Sequence, residues 1–299
     1  MRMTNLRPFL YLIALGAGWG LTLPLAKMAV NGGLQPFGLL FWQSILGIAV
    51  LLVVLLVQGK RLPITRSAVK YYFAIAWIGT IIPGSVSFQA YKFIPSGIMS
   101  LLLSLVPIFA FPIALALGND KFQWRRFVGL LIGFCGAVVI LGVPNSVPAG
   151  VTVGILLFGM IPALCYGFEG NFIAKWGTGG ADPIQLLAGA SGVAAVITLP
   201  LALGTGQMFN PLALSPDLTV AVVASSVIHA FVYSFYVMMV RGFGPVFSVQ
   251  VSYLVTLFGM FWAMALLGDR YSSAVAIALG LIFAGIYLVS PKSKSKSKS

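Results

Sequence analysis

The sequence predicts an all-α membrane protein with ten transmembrane helices. Composition, segment length and loop length carry this prediction. Hydrophobic residues make up 60% of the 299-residue chain and charged residues only 8%, whereas a soluble domain is about a quarter charged. This chain has too little polar surface to cover a globule in water. The alternation over about ten residues that is typical of membrane barrel strands is not evident.

Ten apolar segments reach or approach the length of about 20 residues that a membrane-crossing helix needs. Short loops connect them, so little chain remains for a soluble domain. The predicted segments are residues 8–30, 36–57, 70–93, 96–117, 124–142, 150–174, 183–204, 218–240, 245–267 and 274–290.

The basic residues predict how these segments are oriented. With the N-terminus in the cytoplasm, only Lys27, Lys92 and Arg270 of the 18 lysines and arginines fall outside, as the positive-inside rule expects. Both termini are then cytoplasmic in a multi-pass protein of the inner (plasma) membrane. The net charge of +13 reflects this topology, and no nucleic-acid motif accompanies it. The tail 292–299, KSKSKSKS, is expected to be disordered and suited to anionic lipid.

Features of soluble enzymes are not evident in the sequence. Cys135 and Cys165 lack metal-ligand spacing, the single histidine has no evident acid partner, and no glycine-rich phosphate loop occurs. We therefore expect no catalytic site, no metal and no cofactor. Without a phosphate-binding loop to use a nucleotide, the sequence is compatible with transport driven by a gradient or with simple facilitation.

The chain repeats itself. A displacement of 149 residues aligns Asp120–Lys121 with Asp269–Arg270 without a gap, and a displacement of 147 aligns Trp19 with Tyr166. Residues 1–145 and 146–291 are thus predicted to be two repeats of five helices. Because five is odd, the second repeat enters the membrane from the opposite side. Such inverted repeats are typical of secondary transporters, whose substrate site lies near the midplane between the halves.

Two stretches resemble a known family. The segment SGIMSLLLSLVPIFAFPIALALGNDKFQWRRFVGLLIGFCGAVVIL (96–141) resembles the EamA domain of the drug/metabolite transporter superfamily, and GAGWGLTLPLAK (16–27) is similar to its first-helix pattern. The resemblance implies two inverted five-helix repeats around a central cavity. Within the family the chain is most similar to YddG-type exporters of aromatic amino acids. The implied function is export of amino acids or related metabolites by alternating access. A multidrug or cationic-compound exporter is the alternative, and a membrane-embedded enzyme or a channel is less favoured.

Polar residues within the predicted spans indicate a candidate substrate site, because polar groups in a bilayer are costly. His229 and Tyr233 lie on one face of the eighth segment with Ser226 and Tyr236. A corresponding face of the third segment carries Trp77, Thr80, Gly84, Ser87 and Tyr91. These faces line either a cavity or a neighbouring helix. His229 is suited to bind substrate, carry a proton or bond to another helix.

The sixth segment adds the one acidic residue predicted inside a span, Glu169. A carboxylate there is suited to receive a substrate ammonium or a proton, to reach the interface, or to pair with Lys175. Under the displacement of 147, Thr22 corresponds to Glu169. The predicted substrate-binding set is Trp19, Thr22, Thr80, Tyr91, Tyr166, Glu169, His229, Tyr233 and Tyr253.

Prolines and glycines in the spans are predicted to have two structural roles. Breaks that allow one bundle to rock against another are predicted at Pro24, Pro83, Gly84, Pro107 and Pro162. The pairs Gly16–Gly20 and Gly129–Gly133 are predicted to allow close helix packing. A bundle of this kind encloses its own site, so a monomer that binds a small molecule and is surrounded by lipid is expected.

Overall fold

A computed structural model describes residues 6–142, 150–243, 251–271 and 273–289. These ranges contain helices joined by short turns. The helices are α1 (Leu6–Asn31), α2 (Pro36–Val57), α3 (Arg66–Ile75), α4 (Ile82–Ala90), α5 (Ser96–Leu103), α6 (Val106–Leu117), α7 (Trp124–Gly142), α8 (Val153–Trp176), α9 (Pro183–Gly204), α10 (Pro216–Phe243), α11 (Val251–Leu267) and α12 (Ser273–Val289). A π-helical turn, Ala76–Ile81, joins α3 to α4, and a short 3₁₀ turn spans Pro211–Ala213.

The helices confirm an all-helical membrane architecture. Seven helical segments of the described chain are long and apolar enough to cross a bilayer: α1, α2, α3–α4, α5–α6, α8, α9 and α10. Shorter apolar helices lie within α11 and α12. The predicted bounds agree with the helix ends to within a few residues over the described ranges. The count of ten crossings remains a prediction, and the boundary between residues 145 and 146 and the tail 292–299 lie outside the described residues.

Two predicted segments are interrupted. The third is divided by the π-turn, and Pro83 stands at the start of α4. The fourth is divided at Ser104 and Leu105, and Pro107 follows at the start of α6. Proline has no backbone N–H to bond the preceding turn, which explains why it stands just after each interruption.

Two other prolines do not break their helices. α1 continues through Pro24 and α8 through Pro162, so these two prolines lie inside continuous helices. A proline removes one backbone hydrogen bond, which neighbouring groups in a helical bundle can replace. The hinge roles of Pro24, Pro83, Gly84, Pro107 and Pro162 remain predictions; Gly84 itself lies against Leu40 of α2.

A complete capping box begins α9. The Asp182 side chain accepts hydrogen bonds from the backbone N–H groups of Ile184 and Gln185 at 2.9 and 3.0 Å, and Gln185 accepts in return from the Asp182 N–H at 2.7 Å. Lys60 Nζ lies 2.5 Å from the same carboxylate. Partial burial raises the pKa of Asp182, but the bonds from Lys60 and the two backbone groups outweigh burial and lower it. The carboxylate therefore anchors the turn after α2 to the start of α9.

Helices of the two halves pack mainly against each other. α1 contacts α10 and α11, and α8 contacts α4 and α6. α2 contacts α9, and α7 contacts α12.

Glycines permit the closest of these crossings. A Cβ on Gly20 would lie 2.7 Å from the backbone N of Gly259, and one on Gly167 would lie 3.0 Å from the backbone N of Ala110. The displacements of the sequence repeat relate Gly20 to Gly167 and Ala110 to Gly259, so one crossing occurs twice. Gly16 lies against Leu254 in the same way, and Gly129 and Gly133 both lie against Gly285. The predicted packing role of both glycine pairs is thus confirmed.

The turns at Asp120–Lys121 and Asp269–Arg270 contain the same backbone hydrogen bond, once in each turn. Asp120 N–H donates to the Ala114 carbonyl at 3.3 Å, and Asp269 N–H donates to the Ala263 carbonyl at 3.4 Å. Both partners are displaced by 149 residues. The side chains differ, because Asp120 pairs with Arg126 whereas Asp269 accepts from the Tyr271 hydroxyl at 2.8 Å.

Candidate functional site

The candidate site centres on Glu169, which lies on α8 against the π-turn. A Cβ on Gly79 would lie 2.6 Å from Oε1 of Glu169 and 2.8 Å from its Cδ. The carboxylate therefore occupies the space that any side chain at position 79 would need. Such wide turns occur frequently at functional sites. Of the five acidic residues, Glu169 alone lies well inside a helix; the others lie in turns or at helix starts.

Two tyrosines from different helices lie near this carboxylate, and a third lies near one of them. Tyr166 precedes Glu169 by one turn on α8, and Tyr233 approaches from α10. Both lie close enough to Glu169 to interact with its charge. Tyr91, the buried residue that follows α4, lies close enough to Tyr166 to interact with it. The acidic group therefore has a lining of aromatic rings and hydroxyls.

Trp19 of α1 completes the aromatic lining. Its indole lies edge-to-face with the rings of His229, Tyr233 and Tyr236, at centroid distances of 5.8, 6.0 and 5.6 Å. This arrangement is favourable for aromatic pairs.

Trp19 also sets the tautomer of His229. Its Nε1–H donates to Nδ1 of the imidazole at 3.1 Å. Because an indole N–H can only donate, Nδ1 must be the unprotonated nitrogen, and neutral His229 carries its proton on Nε2. His229 thus keeps one N–H donor for another partner.

The structure brings together six of the nine predicted residues: Trp19, Tyr91, Tyr166, Glu169, His229 and Tyr233. They come from both halves of the chain. Thr80 lies in the π-turn beside Gly79. Thr22 uses its hydroxyl within α1, donating to the Trp19 carbonyl at 2.7 Å. The side chain of Tyr253 lies outside the described residues.

One expectation and one alternative about the surroundings are wrong. Trp77 is 37% exposed and packs beside Phe73, so it does not lie on one buried face with Tyr91. The π-turn explains this difference because it changes the angular step along the helix. Lys175 does not pair with Glu169; its ammonium lies 2.5 Å from the Leu117 carbonyl.

Sequence reasoning missed the contribution of Gly79. Nothing in the neighbouring sequence distinguishes Gly79 from the glycines that only allow close helix packing. Tyr236 lies on the predicted polar face of the eighth segment but is not in the predicted substrate-binding set. Its ring is nevertheless closer to Trp19 than the rings of His229 and Tyr233 are.

Polar contacts lie at both ends of the helices that carry the site. At one end, Lys27 of α1 donates to the Tyr91 carbonyl and interacts with the charge of Asp269. At the other end, Asn119 Nδ2 donates to the Asn171 carbonyl of α8 at 2.9 Å. The bond from Asn119 joins a turn of the first half to a helix of the second. The bond from Lys27 stays within the first half, and its interaction with Asp269 reaches the second.

A small cavity lies between α1, α2, α4 and α10. It has a volume of about 10 Å³ and borders Gln43, Ser225 and Ser226. This is room for about one water molecule.

The apolar helices and the site between the halves define a membrane protein with a polar centre. The model of the EamA-like transporter family matches residues 6–142 and again residues 153–290. The chain therefore belongs to the EamA-like transporter family of membrane proteins, which points to a transporter and not to an enzyme.

Curated proteins that are similar to this chain are named inner membrane transporters. The chain is 26% identical to the "Uncharacterized inner membrane transporter YedA" of Escherichia coli (strain K12), over 97% of this chain and 92% of YedA. The proteins of the same name from Escherichia coli O6:H1 and O157:H7 match to the same extent. A solved structure described as "Crystal structure of protein" aligns with a TM-score of 0.63 and 21% identity, over 95% of this chain and 96% of its own, which shows a common fold.

Proposed function

We propose that the protein is a secondary transporter that exports amino acids or related metabolites across the inner membrane by alternating access. The observation that carries this proposal is the position of Glu169 against Gly79, among tyrosines and between the two halves. A carboxylate held inside an apolar helix is costly. Binding the ammonium group of a substrate would offset that cost.

The proposed topology is ten crossings in two inverted repeats of five, residues 1–145 and 146–291, with both termini cytoplasmic. The paired glycine crossings support it, because helix contacts recur under the displacements of the repeat. The distribution of lysine and arginine supports the orientation. The YedA proteins are named inner membrane transporters, which supports the location.

The chemistry of the site favours a neutral amino acid with a large side chain. Glu169 would accept the ammonium group, and Nε2–H of His229 would donate to the carboxylate. The rings of Trp19, Tyr166 and Tyr233 would contact an apolar or aromatic side chain. Aromatic amino acids of the kind that YddG-type exporters carry have all three features.

A second candidate is an exporter of organic cations. The same carboxylate and aromatic rings suit a cation without a carboxylate, because ring faces attract positive charge. His229 would then have no role in recognition. The two candidates therefore differ in whether His229 contributes.

Transport requires the two halves to move. The cavity between α1, α2, α4 and α10 has room for about one water molecule and does not border Glu169, so it does not provide the space that an amino acid needs at the candidate site. We propose that the polar contacts at the two ends of the helices open alternately, with bending at Pro24, Pro83, Gly84, Pro107 and Pro162. A single chain suffices for this cycle, so the proposed working unit is a monomer.

A counterflow assay tests the function. Purified protein in liposomes preloaded with an unlabelled solute should concentrate the labelled solute, with tryptophan, phenylalanine and tetraphenylphosphonium as probes. Accelerated, saturable exchange identifies a transporter and excludes a channel. We expect Glu169→Gln to abolish exchange of whichever probe the protein moves.

The pattern among variants separates the candidates. Tryptophan exchange that falls with both Glu169→Gln and His229→Ala supports the amino-acid exporter. Exchange of tetraphenylphosphonium alone, lost with Glu169→Gln and kept with His229→Ala, supports the cation exporter. Exchange of a moved probe that is unaffected by Glu169→Gln would overturn the proposed site.

A further inference from the structure

A surface groove lies at the start of α3, away from the candidate transport site. It has a volume of about 550 Å³ and is lined by Ile64, Arg66, Val69, Lys70 and Phe73. Thr65 caps this helix by accepting a hydrogen bond from the Ala68 N–H at 3.1 Å. The helix that lines the groove therefore begins at Arg66.

The lining residues of α3 share one face. Positions 66, 69, 70 and 73 have the spacing i, i+3, i+4 and i+7, which places their side chains side by side. Arg66 and Lys70 lie near the start of the helix with Val69 beside them, and Phe73 follows about one turn further along the helix. The groove is thus charged at the helix end and apolar further along.

This apolar face lies open in the described part of the chain. Ile64 is 84% exposed, Val69 41% and Phe73 52%. Trp77 continues the open strip one turn beyond Phe73, with ring centroids 6.4 Å apart. On an apolar helix of a membrane protein, such a strip contacts lipid chains.

The two cations have no acidic partner in the described part of the chain. Its ion pairs join Lys60 to Asp182 and Arg126 to Asp120. Arg66 and Lys70 therefore leave two positive charges at the end of an apolar strip. That combination matches a phospholipid, with an anionic head and an apolar chain. Free phosphate would gain nothing from Val69 and Phe73.

We propose that this groove binds one anionic phospholipid, with its phosphate between Arg66 and Lys70 and one acyl chain along Val69 and Phe73. Basic residues at a membrane surface each strengthen binding to anionic lipid several-fold, so removing both should weaken it on the order of 10- to 30-fold. The proposal is independent of which solute the protein transports.

Native mass spectrometry of the full chain in detergent tests the site. The protein is titrated with dioleoylphosphatidylglycerol and, separately, with dioleoylphosphatidylcholine, and the fraction carrying one lipid is measured. We expect the first lipid to bind at lower concentration. The double variant Arg66→Gln/Lys70→Gln should lose this preference, and the exchange variant Arg66→Lys/Lys70→Arg should keep it.

A matched variant controls for charge alone. Lys121→Gln/Arg270→Gln removes the same two charges from turns outside the groove and should leave the preference intact. An equal loss in this control would overturn the proposal, as would unchanged phosphatidylglycerol binding by Arg66→Gln/Lys70→Gln.

A third variant separates a lipid from a phosphate site. Phe73→Ser keeps both cations and should weaken phosphatidylglycerol binding. Full binding by Phe73→Ser, together with displacement of the lipid by millimolar inorganic phosphate, would show an ordinary anion site and overturn the assignment to lipid.

Discussion

A methyl group at position 79 should displace the carboxylate on which transport depends. In Gly79→Ala, the new Cβ would lie 2.6 Å from Oε1 of Glu169, and ordinary contact begins near 3.4 Å, so the carboxylate must retreat by about 0.8 Å (3.4 − 2.6). A displacement of about 1 Å in a positioning group can cost up to about 100-fold in rate. We expect the initial rate of counterflow to fall by about 10- to 100-fold.

Gly170→Ala is the matched control. Gly170 adjoins Glu169 on α8, but a Cβ there would meet nothing within 4 Å. Alanine favours a helix over glycine by about 1 kcal/mol, so neither variant should lose thermal stability through helix propensity. Unchanged counterflow in Gly79→Ala, or an equal loss in Gly170→Ala, would refute the assigned contact between the π-turn and the carboxylate.

Three further perturbations probe the site, the cap and the topology. Trp19→Phe keeps an aromatic ring but removes the N–H that fixes the His229 tautomer, and loss of one such bond, worth about 1 kcal/mol, should weaken amino-acid exchange about fivefold. Asp182→Ala removes the cap of α9 and should lower the free energy of unfolding by about 1 kcal/mol, measured by thermal unfolding in detergent. Because folding lowers the pKa of Asp182, its stabilisation is present above the pKa of the unfolded chain and is lost as pH falls through the lower folded value, so the difference between wild type and variant should vanish in acid. Cysteines placed at Lys121 and Arg270 in a cysteine-free background should differ in labelling from the outer face, with only position 270 modified.

Each of these expectations has a control or a contradicting result. Trp262→Phe removes a comparable indole bond, to the Ala17 carbonyl at 3.0 Å, and should leave exchange unchanged. Asp182→Asn keeps a capping oxygen and should recover most of the stability. A stability difference for Asp182→Ala that grew in acid would contradict the linkage, and equal labelling at 121 and 270 would contradict the inverted repeat.

Most helix positions could be predicted because the bilayer imposes length and apolarity on every span. α2, α7 and α9 begin and end at the predicted residues. The π-turn could not be predicted, since it forms where Glu169 of another helix packs against Gly79. That contact is remote in sequence, and local periodicity in the third segment therefore placed Trp77 on the wrong face.

The sequence could select candidate residues that the structure brings together, but not the contacts among them. The cost of polar groups in the bilayer singled out Glu169 and His229, and the repeat singled out Trp19 and Tyr166. The hydrogen bond from Trp19 to His229 joins residues 210 positions apart, and no spacing rule reveals it. Glu169 and Lys175 illustrate the converse, because their closeness in sequence suggested a pair that the structure does not form.

Chemical modification of Glu169 tests the central claim most directly. A hydrophobic carbodiimide modifies carboxyl groups within membranes, and peptide mass spectrometry measures its rate of attachment at Glu169 in the purified protein. If the carboxylate holds the substrate, a transported solute should slow this attachment over the concentration range in which its transport saturates. An attachment rate that a saturating transported solute leaves unchanged would contradict the account.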